Sequence, residues 1–163
     1  MTVWLVGEQN PYSRDPRTAL HFIPANGSGN RLRRILGMRR WDYLRSFERR
    51  NLVQGERWSF RAARRGVQAL MHEVEDSDVV VLLGQRVYTA WGLLDWRPFR
   101  NLEACTSNNP DDADAVAFFT IVTLPHPSGL SRVWNDPESK RRARDVLVSA
   151  APHLIGVVGI SDK

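Results

Sequence analysis

The chain reads as α/β: a single three-layer α/β/α domain over residues 1–163, built on a central, mainly parallel four-stranded sheet. Three observations predict this. Four apolar runs alternate with segments of helical spacing. The clearest runs are continuously apolar, as strands covered on both faces of a parallel sheet must be. At 163 residues, 42% apolar and 25% charged, the chain is long enough to bury a core without cross-links.

The elements follow in order. "VWLVG" (3–7) is a short apolar run ending in glycine, read as a buried strand feeding a loop. The next stretch, "EQNPYSRDPRTALHFIPANGSG", is rich in Pro, Gly and Asn, and loops of that length are usually functional or disordered. From Ser28 or Asn30, Leu32, Ile35 and Leu36 fall at helical spacing, with Gly37 as the stop. "WDYLRSFERRNLV" ends in a second strand near 47–53. In "FRAARRGVQALMHEVE", Ala63, Val67, Leu70 and Val74 share one face of an amphipathic helix. "DVVVLLG" (78–84) is the strongest strand signal, and "QRVYTAWGLL" opens a helix after it. A polar stretch from Thr106 to Asp114 precedes the fourth strand, "AVAFFTIVTL" (115–124). Asn135 or Asp136 as cap, Pro137 at the first helical position and Glu138 in the first turn start the last helix.

Composition narrows the function. No run approaches membrane-spanning length and the N-terminus lacks a secretory layout, so a soluble, cytoplasmic protein without a membrane partner is expected. Cys105 is the single cysteine and the four histidines are scattered, which predicts no metal; no cofactor is expected either. The net charge of +5 is concentrated: between Arg31 and Arg65 twelve arginines face three acids. Arginine forks suit phosphate oxygens, so a face for nucleic acid is expected, although such a run can equally be a solvated surface.

Ligands of parallel sheets sit beyond the carboxyl ends of the strands, where "GEQNPY", "RNLV" and "HPSGLS" fall. These segments, in this order with "DVVVLLGQ" in the third strand, resemble the uracil-DNA glycosylase superfamily over most of the chain. The resemblance implies a monofunctional DNA glycosylase that flips uracil or a related pyrimidine out of DNA, hydrolyses its N-glycosidic bond and leaves an abasic site, the chemistry of base excision repair; a monomer is the default expectation. Such chemistry needs stabilisation of the anionic leaving base and a placed water. It implies that His126 donates to the pyrimidine O2. Asn10 then positions the water. The first motif is one residue longer than the family pattern, and counted from Gly7 the water activator is Glu8 instead. Tyr12 corresponds to a residue that crowds C5, Phe22 to an aromatic on which the base stacks, and Asn51 to the amide that reads N3 and O4. Leu130 corresponds to the wedge that fills the vacated stack, with Ser128, Ser131 and Arg132 holding phosphates and Gly129 replacing a usual proline. The bland alternatives are ordinary turns at "NPY" and "HPSG", and a core phenylalanine.

Two other functions stay open. One is a catalytically weak or inactive module of the same fold that binds uracil-containing, modified or single-stranded DNA. The other is hydrolysis of free nucleotides, against which the arginine-rich face and Leu130 argue. The two lysines, Lys140 and Lys163, are not expected near the site, so no lyase step is expected.

Overall fold

The computed structural model describes residues 1–10, 12–107 and 116–160. Among them, five strands form one sheet: β1 (Val3–Asn10), β2 (Glu48–Gln54), β3 (Val79–Leu83), β4 (Arg100–Ser107) and β5 (Val116–Leu124). Their order is β2-β1-β3-β5-β4. All neighbours run parallel except β4, which lies antiparallel to β5 at the edge. The helices are α1 (Ser28–Leu36), α2 (Arg40–Ser46), α3 (Phe60–Met71), α4 (Gln85–Ala90) and α5 (Pro137–Ala150).

Strand alternation sends side chains to two separate cores. Val3, Leu5, Val79, Val81, Leu83, Val122 and Leu124 pack with residues of α1, α2 and α5. Trp4, Val6, Val80, Leu82 and Ile121 face the other way, against α3 and α4. The result is three layers, α/β/α, with the sheet in the middle. The sheet is pinned at its amino-terminal end by Asp78, a buried carboxylate. It accepts from Thr2 N (2.6 Å), Trp4 Nε1 (3.0 Å) and Glu75 N (3.1 Å), tying β1 to β3.

Several expectations need adjusting. The sheet has a fifth strand beyond the four expected: β4 carries Arg100, Asn101 and Glu103, and among its described side chains only Leu102 and Ala104 pack against the core. Charged edge strands protect a sheet from pairing with other chains, and they give no apolar run to read. β1 continues three residues past Gly7, so Glu8, Gln9 and Asn10 are strand residues, with Gln9 and Asn10 paired to Val53 and Gln54 of β2. The lead-in to the second strand contains α2, in which only Tyr43 is buried, too little for a periodic signal. Pro11, residues 108–115 and Lys163 lie outside the described residues. Among the described residues, no helix is long and apolar enough to cross a membrane.

Candidate active site

A cavity of about 300 Å³ opens at the carboxyl ends of the strands, and its wall includes Glu8, Asn10, His21, Asn51 and His126. The strand order reverses at β1, where β2 lies to one side and β3 to the other, and such switch points leave a crevice in parallel sheets. Glu8 and Asn10 come from the end of β1, Asn51 from β2 and His126 from the turn after β5. Gly84, directly after β3, has φ +100, and a Cβ there would stand 2.9 Å from the His126 Cβ. Only glycine allows this backbone to pass so close under the histidine.

The His126 ring is fixed by its own loop. Ser128 N donates to Nδ1 at 3.1 Å, so Nδ1 is the acceptor and Nε2 carries the proton. Burial lowers the imidazole below its ordinary pKa; the nearby Glu8 carboxylate opposes this and the Arg86 guanidinium adds to it. The neutral ring with one outward N–H is therefore the resting form near pH 7. The loop is clasped by Trp134, a buried indole that donates to the His126 carbonyl at 3.0 Å.

Glu8 forms an ion pair with Arg86 at 3.2 Å, and its other oxygen lies near Gly84. Asn10 is held on both sides of its amide. Its nitrogen donates to Thr18 Oγ1 at 3.0 Å, and its oxygen accepts from Tyr12 N at 3.2 Å. Each end keeps one further hydrogen-bonding position. Asn51 donates to Gln54 Oε1 at 3.3 Å, and Gln54 in turn donates to the Ser13 and Asp15 carbonyls at 2.7 and 3.0 Å. Gln54 thus stitches the loop after β1 to β2, and holds Asn10, Asn51 and Thr18 in one polar network.

The aromatic positions differ from expectation. His21, not Phe22, is on the cavity wall. Phe22 stacks on the His21 ring at 4.5 Å and is covered by Arg40 at 5.6 Å. Burial and the charge of Arg49 both lower the His21 pKa. Tyr12 reaches the cavity but is 95% exposed, so its ring does not pack into the floor. The cavity floor itself depends on Leu20, held at φ +47 by its carbonyl accepting from the buried Tyr43 hydroxyl at 2.9 Å.

Leu130 is 94% exposed on the histidine loop. Beside it lies a groove of about 500 Å³ lined by Arg31, Arg34, Lys140, Ser128, Gly129 and Ser131. A Cβ on Gly129 would stand 2.7 Å from the Arg31 guanidinium, the mobile tip of a side chain that would have to move aside. Arg132 is exposed and begins a short 3-10 turn (Arg132–Asn135). Lys140 lies nearer the site than the sequence suggested, but in the groove and not on the cavity wall. The sequence motifs do not single out His21, Thr18, Gln54, Arg86 or Trp134; Gln54 and Arg86 reach partners far off in the chain, and Thr18 and Trp134 reach theirs across a turn. Among the described residues, no group of three or more His, Cys, Asp or Glu is placed to hold a metal ion.

The family model described as the uracil DNA glycosylase superfamily matches residues 1–148. No curated protein and no solved structure matches the chain.

Proposed function

The chain belongs to the uracil DNA glycosylase superfamily, and we propose that it is a monofunctional DNA glycosylase that hydrolyses the N-glycosidic bond of uracil or a related modified pyrimidine. The observation that carries this is the His126 ring, neutral, with Nδ1 satisfied by Ser128 and Nε2–H left for a ligand, in the same cavity as the Asn51 amide. The C1′–N1 bond breaks with its electron pair remaining on the base. Nε2–H donates to O2 as that oxygen gains charge, and the Asn51 amide, both donor and acceptor, reads the opposite edge. Water adds to C1′ and gives up a proton. Asn10, tied at both ends, orients that water, while Glu8 is the one of the two able to accept the proton. The groove with Arg31, Arg34 and Lys140, together with Ser128, Ser131 and Arg132, takes the flanking phosphates, and Leu130 enters the stack. The product is an abasic site, the entry point of base excision repair.

The amide of Asn10 orients a water but cannot take its proton, which favours a second reading, a module of this fold that holds the flipped base without cutting. Labelled oligonucleotides decide between them: single- and double-stranded, with uracil, U·G, T·G or 5-hydroxymethyluracil, followed by alkali. Scission by the wild type, reduced roughly 10²–10³-fold in His126→Ala, is expected. Glu8→Gln and Asn10→Ala then show which residue serves the water. Binding without scission of any substrate would establish the module instead.

A further inference from the structure

A second surface beside the cavity combines aromatic rings with arginines. At the start of α3, Phe60 is 48% exposed and meets the Trp58 ring edge-on at 5.8 Å. The Arg86 guanidinium lies over the Trp58 ring at 4.6 Å and pairs with Glu8 of the cavity wall at 3.2 Å. A continuous path from ring to ring to guanidinium to carboxylate therefore joins Phe60 to Glu8 of the cavity wall. From Phe60 a groove of about 360 Å³ runs along α3, lined by Arg61, Arg64, Arg65 and Gln68. Arg65 faces Glu56 at 3.6 Å, but among the described residues Arg57, Arg61 and Arg64 have no carboxylate partner. Phe60 and the arginines of α3 do not enter the chemistry described above.

We propose that Phe60 and the arginines of α3 form a stacking platform for an unpaired base of the strand that feeds the cavity, so that the protein engages single-stranded DNA more tightly than duplex. The inference rests on the proposed DNA substrate. An exposed ring accepts the face of any base, and arginines spaced along a helix follow the phosphates, which is how single strands are held without sequence preference. Paired bases keep their faces inside the stack, and a duplex has none to offer Phe60.

The test is fluorescence anisotropy with uracil-free oligonucleotides, single-stranded and duplex, so it reads binding and not excision. Phe60→Ala is expected to weaken single-strand binding roughly 5- to 100-fold and to leave duplex binding unchanged, with Phe60→Tyr restoring it. Arg64→Ala, on an exposed side chain, is expected to flatten the single-strand salt dependence by about 0.7 in the log–log slope. Unchanged single-strand affinity in Phe60→Ala, or equal losses on both substrates, would overturn the platform. Abasic product from the wild type together with unchanged Phe60→Ala binding removes the platform alone. A selective loss in a protein that cuts nothing keeps the platform and removes the glycosylase.

Discussion

Burial draws the proton off His126, and Arg86 works in the same direction against the Glu8 carboxylate. A histidine whose folded pKa is depressed adds stability that is fully present above the unfolded value of about 6.5 and is lost as pH falls through the folded value. Protonation puts a second N–H on Nδ1 and removes the acceptor of the Ser128 amide that fixes the ring, so the acid limb of the excision profile is expected below pH ~6.5. Arg86→Ala is expected to shift that limb to higher pH and Glu8→Gln to lower pH. Single-turnover pH profiles check the positions of the limbs, and an imidazole NMR titration checks the same shifts in an inactive variant. A limb that moves in neither variant would rule out this electrostatic pair. At this scale the sequence pointed to Asn10, Asn51 and His126, each in a short motif at a strand end, and all three line one cavity. It expected Phe22 where His21 stands on the wall: the chain turns here at Leu20, which is held by Tyr43, 23 residues away.

Strands and helices were legible where they fill the core. β3 is buried throughout and α5 opens on Asp136, whose carboxylate accepts from Glu138 N and Ser139 N, as Asp136-Pro137-Glu138 predicts. α2 and β4 were not, since one buries a single residue and the other is a charged edge. The lock at Asp78 was equally hidden, because a buried carboxylate is recognised only by its donors. Asp78→Ala would leave the Thr2 and Glu75 amides and the Trp4 indole without their acceptor. A loss on the order of 2–4 kcal/mol is expected, or roughly 5–15 °C in Tm. Thermal unfolding followed by circular dichroism measures it, and a change under about 1 kcal/mol would mean that water replaces the carboxylate.

Over the whole molecule, part of the charge gathers in two grooves. Of the arginines between Arg31 and Arg65, Arg31 and Arg34 line the groove beside Leu130, and Arg61, Arg64 and Arg65 line the groove along α3, on the other face of the sheet. Counterion release makes such faces measurable. Replacing Arg31, Arg34 and Lys140 together by alanine is expected to reduce the salt slope of duplex binding by about 0.9 for each phosphate no longer neutralised, without changing sequence preference. Anisotropy titrations between about 50 and 200 mM salt read it, and an unchanged slope would place the duplex elsewhere. The Trp134 clasp has a consequence of another kind. Leu130 and His126 ride four residues apart on one arm, pinned at the His126 carbonyl and stiffened by the Ser128 amide on the ring. In the proposed reaction the histidine is thus set before DNA arrives, and the tip at Leu130 can seat in the stack without disturbing it.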